Sequence, residues 1–252
     1  MVTAQATAPP ALGDPRPDST GSTNNSTGGN TIIAANTPTG LLNDTGVTTC
    51  FSLRDRSSIV RNKNCHQDFD ADGKPIPRYQ DAYYGRDSNQ ATNSDMDGKA
   101  GFSFTKIGKS GQYLPNTAQD WTCVLDNVTG LLWEVKTNDD SLHDWDDDFT
   151  WYNSNGSENG GNSGTRIADS HSNSCFGFSG DSPSTYCNTQ DFVTRVNTER
   201  LCGQTGWRLP TAQELISLLD YEPTGQAHID HNYFPLFRVP LANRCTEKRL
   251  NS

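Results

Sequence analysis

Two stretches carry polar side chains at a spacing that could do chemistry. In Asp68-Phe69-Asp70-Ala71-Asp72-Gly73 the carboxylates alternate and end on a glycine. A short loop wraps oxygen ligands around calcium in this way, with the glycine taking the sharp turn. A full EF-hand loop needs a bidentate Glu where Tyr79 stands. The expected site is therefore a shorter loop using Asp68, Asp70 and Asp72, completed by a distant carboxylate such as Asp81 or Asp87. Asn93, Asp95 and Asp97, ahead of Gly98, repeat the pattern more weakly. A solvated acidic turn is the plainer alternative at both places.

The second stretch holds six aspartates between Asp139 and Asp148, around His143 and Trp145. Close carboxylates bind a metal or share a proton, although a charge run is more often a solvated loop. Trp145, Trp151 and Tyr152 stand within or just after it. Aromatic rings stack on the C–H faces of sugars while neighbouring Asp and Asn side chains take the hydroxyls. Trp145, Trp151, Tyr152, Asp146 and Asp148 are thus the candidate ligand-binding residues. The competing reading makes Trp151 and Tyr152 core residues. The GxSxG, HExxH and P-loop motifs are absent and the histidines are scattered, so binding is expected rather than catalysis.

The elements that must position these residues are short. Trp121 to Leu125 and Leu131 to Val135 read as a hairpin, with Gly130 suited to positive φ at the turn. Gly101 to Ile107 reads as a further strand. Asn188 to Leu201 reads as a helix capped by Asn188 or Thr189, with Cys202-Gly203 ending it. Thr211, with Glu214 three residues on, forms a capping box for a second helix, Ala212 to Tyr221, whose apolar face Trp207 would anchor. Two helices, short strands and long loops give an α+β class.

Composition bounds the rest. A hydrophobic share of 32% and a mean hydropathy of −0.73 are low, so part of the chain is expected to be loop or unfolded. Residues 1–40, built of Ala, Pro, Thr, Ser, Asn and Gly, read as a disordered linker or stalk. Residues 41–120 offer no core of their own. A net charge of −10 speaks against nucleic acid and anionic lipid as partners. No window approaches an apolar membrane-spanning length, and the N-terminus lacks the pattern of an export signal. Seven cysteines without a CxxC pair nevertheless read as an exported, disulfide-stapled protein. Cys50 with Cys65, Cys175 with Cys187 and Cys123 with Cys202 are the proposed bridges, among many possible connectivities, and Cys245 is left over.

W-R-L-P-T-x-x-E-L at Trp207 to Leu215, preceded by D-N-V-T-G-L-L-W-E at Asp126 to Glu134, resembles the bacterial DUF1566 family, the Lcl C-terminal domain. Thr45 to Cys50, Asp81-Ala82, Gly85-Arg86-Asp87, Thr150 to Asn153 and Leu201-Cys202-Gly203 follow the family's order. Residues 121–235 match best within a domain spanning 41–240, and 241–252 diverge, as if the last strands were truncated. The resemblance implies a C-type-lectin-like fold related to formylglycine-generating enzymes, without their chemistry. It also implies a secreted or cell-envelope adhesin-like module, possible as a homo-oligomer, that recognises glycans or a host or matrix surface. The chain's acidity favours a neutral or calcium-bridged sugar over a polyanion. A structural module docking other surface proteins is the alternative, with an enzyme on the same scaffold a third reading.

Overall fold

The computed structural model describes residues 5–6, 42–53, 59–62, 65–89, 96–166, 175–222 and 228–236. The main sheet is antiparallel. It is built from β1 (Gln5–Ala6), β4 (Phe104–Ile107), β5 (Cys123–Asp126), β6 (Leu132–Glu134) and β7 (Trp207–Arg208), in the order β4-β5-β6-β1-β7. A separate hairpin pairs β2 (Cys50–Leu53) with β3 (Ile59–Asn62). The expected 121–135 hairpin is β5–β6, with Cys123 opposite Glu134, and Gly130 takes φ +74° in its turn. Asp126 fixes that turn by accepting the amides of Val128 and Thr129. In the segment read as a linker, Gln5 pairs with both Trp133 and Arg208; the rest of 1–40, the 241–252 tail and Cys245 lie outside the described residues.

Both faces of the sheet are covered, which is why every residue of β5 and β6 is buried. On one face Cys123, Leu125, Leu132 and Trp207 pack with Phe192 and Val196 of α1 (Thr189–Glu199) and with Leu142. On the other, Phe104, Val124 and Trp133 pack with Leu218, Ile229, Tyr233 and Phe234. Alternation along each strand assigns these sets, because successive side chains leave opposite faces.

Three differences from expectation have local causes. α1 ends at Glu199, earlier than expected, and Arg200 rather than a glycine takes the left-handed turn, at φ 57°. α2 (Ala212–Ile216) is half its expected length. The chain leaves helical geometry after Ser217 so that Asp220 can pair with His228. Trp207 packs against α1, not α2. The face that Trp207 takes is set by the register of β7, and the leucines after its turn go to the opposite core.

Between β1 and β4 lies a small core that hydrophobic content did not announce: Cys50, Cys65, Ile76 and Ala82. The Glu222 carboxylate ties it to the rest by accepting from Thr48 and Thr49. The three expected disulfides form, Cys50–Cys65, Cys123–Cys202 and Cys175–Cys187. Cys123–Cys202 joins the sheet to the turn after α1, across a sequence separation of 79 residues. Among the described residues no helix is long and apolar enough to cross a membrane.

Candidate functional site

α1 begins where Asn188 caps it: the Asn188 side chain accepts the Asp191 amide at 3.0 Å. Asn197, near its other end, clamps the helix to β7. Its Oδ1 accepts the amides of Gly206 and Trp207 at 2.7 and 2.8 Å, and its Nδ2 donates to the Trp207 carbonyl at 2.8 Å. Thr189 clamps the same helix to the 150s loop. The Tyr152 amide donates to its hydroxyl, which donates to the Tyr152 carbonyl at 2.7 Å. One helix thereby holds a loop on one side and a strand on the other.

Between them lies a groove of about 450 Å³. Tyr152, Asn153, Ser154, Asn155 and Glu158 line it from the loop, Gln190, Val193 and Thr194 from α1, and Trp207 to Leu209 from β7. Three of its amides have a fixed orientation. Asn153 Oδ1 accepts the Asn155 amide at 2.9 Å. Asn155 Oδ1 accepts the amide and hydroxyl of Ser157 at 3.2 and 2.8 Å. Gln190 Oε1 accepts the Ser154 amide at 2.7 Å. An amide whose oxygen is held by N–H groups must present its NH2 on the other side. Among the described residues none of these three NH2 groups has an acceptor, so the groove offers preset donors.

The groove's charges are nearly silent. Arg208 gives its guanidinium to Glu214 through two bonds of 2.9 and 2.7 Å. Glu214 also closes the expected capping box, taking the Thr211 amide while Thr211 accepts the Glu214 amide. Burial alone would raise the Glu214 carboxyl; Arg208 and Thr211 hold it below its ordinary value. Glu158, on the exposed loop, is the other charged residue of the lining.

Of the five expected ligand-binding residues, Tyr152 alone lines this groove. The Trp145 indole donates to Asn138 Oδ1 at 2.8 Å, and that of Trp151 to the Asn162 carbonyl at 2.7 Å. Trp151 is 43% exposed and does not line the groove, so it is neither a core residue nor a groove residue. Asp146 belongs to the turn organised by Asp144, whose Oδ2 accepts the amides of Asp139 and Asp140, each at 2.7 Å. Despite burial, the amides of Asp146, Asp140 and Asp139 hold Asp144 down at about 2. Asp144 in turn raises Asp146. Asp148 is exposed.

The calcium candidates do not converge. Asp68 pairs with Arg78 at 2.6 Å. Asp70 Oδ1 accepts the amides of Asp72 and Lys74 at 2.9 and 2.8 Å, and Ser52 donates to its Oδ2. Asp72 is exposed. Asp81 and Asp87 meet at the Thr45 hydroxyl instead. In the second loop Asp97 accepts the Ser103 hydroxyl at 2.6 Å, while Asn93 and Asp95 lie outside the described residues. Among the described residues no three His, Cys, Asp or Glu side chains gather around one point.

A buried charge cluster went unforeseen. Glu134 is fully buried and accepts from Lys136 Nζ at 3.0 Å and from His143 Nδ1 at 2.7 Å. His143 Nε2 faces Glu199 Oε2, at the end of α1, at 3.1 Å. An imidazole can donate from both nitrogens only when protonated, so two facing carboxylates demand the cation. The cluster fastens the aspartate loop to β6 and α1, outside the groove lining.

Residues 122–240 match the model of the Lcl C-terminal domain. No curated protein and no solved structure matches the chain. The matched span begins one residue before β5 and takes in the β5–β6 hairpin, both helices and every residue of the groove. Residues 122–240 of this chain therefore belong to the Lcl C-terminal domain family.

Proposed function

We propose that the chain is an exported, adhesin-like binding module with a C-type-lectin-like fold, and that the groove between the 152–158 loop, α1 and β7 takes a neutral glycan. The observation that carries this reading is the set of three amides at Asn153, Asn155 and Gln190, oriented by backbone bonds so that their NH2 groups are free to donate. Preset donors suit a ligand rich in neutral oxygen acceptors, since they are aimed without further loss of side-chain freedom. The Tyr152 and Ser154 hydroxyls add partners able to donate or accept. With Arg208 neutralised by Glu214 and Glu158 on the loop, a sulfated or carboxylated ligand would meet no uncommitted cation in the lining. Three disulfides fit an oxidising, extracytoplasmic location. Binding rather than catalysis is favoured because His143, pinned between two carboxylates, lies outside the groove.

A glycan array followed by titration calorimetry tests the proposal. Neutral glycans should bind the parent chain, and Gln190→Glu should weaken them. That variant keeps the oxygen that accepts from Ser154 but replaces a donor with an anionic acceptor. Absence of any glycan signal from folded protein would remove the reading.

Protein docking at a cell surface is favoured by a different observation. Large apolar side chains are exposed between residues 69 and 96: Phe69 (58%), Tyr79 (85%), Tyr84 (50%) and Met96 (76%). Such exposure on a chain this polar fits a protein interface. Self-association that Phe69→Ser and Tyr79→Ser abolish, without any glycan signal, would favour this second reading.

A further inference from the structure

The donors of the groove stand beside an apolar wall. Gln190 and Val193 are three residues apart on α1, so their side chains rise from neighbouring points on one helix face, with Cβ atoms roughly 5–6 Å apart. Thr194 sits one position further and turns its hydroxyl inward to the Gln190 carbonyl, at 2.9 Å. It therefore does not compete for a ligand acceptor near Gln190. Val193 and, across the groove, Leu209 are half-buried and add apolar surface to the lining. A ligand group that satisfies both features needs a strong neutral acceptor and a methyl on the same carbon. A plain hydroxyl supplies the first and not the second.

Resting on the glycan reading above, we infer that the groove recognises an acetamido sugar, with the acetamido carbonyl accepting from the Gln190 NH2 and its methyl packed on Val193 and Leu209. The other fixed donors, on Asn153 and Asn155, serve ring and hydroxyl oxygens. With Arg208 held by Glu214, the lining offers an acidic acetamido sugar no uncommitted cation, so the ligand is a neutral one. A free amine on the sugar loses both the acceptor and the methyl, and retains only an exposed attraction to Glu158, which is weak in water.

Three tetrasaccharides that share a β-1,4-linked gluco backbone isolate the group at the 2-position: hydroxyl, acetamido and free amine. Titration of the full chain should show the acetamido form binding roughly ten- to fortyfold tighter than the hydroxyl form, the sum of one neutral hydrogen bond and one buried methyl. The amine form should bind no better than the hydroxyl form. Gln190→Glu should cut the preference to no more than the methyl's share, roughly fourfold, with melting unchanged. Val193→Ser should remove part of the preference without touching the donor. Equal affinity for acetamido and hydroxyl forms, or tightest binding of the amine, would overturn the inference while leaving the glycan reading in place. The same holds if none of the three binds and a glycan without an acetamido group does. Silence toward every glycan tested would overturn both.

Discussion

Replacing His143 with Gln should cost the domain stability in a way that depends on pH. In the folded chain the His143 side chain is 14% exposed and contacts Glu134, which is fully buried, at 2.7 Å. Burial pulls the imidazole down, but the hydrogen bond and charge of Glu134, then Glu199, raise it above its ordinary 6.5, against Lys136. Burial likewise pushes the Glu134 carboxyl up, and Lys136 and His143 bring it below its ordinary value. A hydrogen bond to a charged group contributes about 1.5–3 kcal/mol. For a chain of this size about 2 kcal/mol corresponds to roughly 4–8 °C in Tm. The folded state holds the proton more tightly than the unfolded state, so the stabilisation is complete below about 6.5. It is lost as pH rises through the raised folded value. Thermal melts of the parent and His143→Gln at closely spaced pH values check this. The difference should be largest on the acid side of neutrality and shrink as pH rises. Equal melting near pH 6, or a difference that grows with alkalinity, would refute the claim that His143 is a cation bridging the two carboxylates.

Other perturbations should separate the remaining supports. Cys123→Ser with Cys202→Ser opens a loop of 79 residues and should cost about 4 kcal/mol, read by chemical denaturation in oxidising buffer. Thr211→Ala removes the capping box of α2 and should cost about 1 kcal/mol, with Glu214 left holding Arg208. Because Asp70 is committed to the amides of its own turn and to Ser52, melting should be the same in calcium and in EDTA; a calcium-dependent rise lost in Asp72→Asn would show that the loop opens to take the ion. Glu134→Gln leaves Lys136 and His143 buried beside a neutral partner and should cost more than His143→Gln, about 3–5 kcal/mol, by the same melts.

The parts legible in the sequence were those fixed by local chemistry. Asp126 with Gly130 makes the hairpin turn, Asn188 and Thr211 cap their helices, and Cys50–Cys65 and Cys175–Cys187 close short loops that local spacing suggests. What was hidden depends on register between distant segments. Trp207 faces α1 because of the strand pairing at β7, which its local context does not encode. Asn197 looked like an ordinary polar position in a helix, yet its amide joins that helix to β7. The aspartate loop stands out by its charge, but Asp144 serves its own backbone and Asp147 takes the Phe176 amide. The groove lining instead presents Asn153, Asn155 and Gln190, common residues set apart by which end of each amide is held. Within the T-W-Y-N stretch Tyr152 and Asn153 line the groove, and Trp151 does not.

If fixed amide donors in this groove bind a neutral glycan, removing one donor must weaken that binding. Calorimetric titration of one array-identified neutral glycan into the parent chain and into Gln190→Glu tests it most directly. A loss of roughly tenfold or more in the variant, at unchanged melting temperature, is the expected result. Equal affinity in the two proteins would contradict the claim and place the binding site elsewhere on the chain.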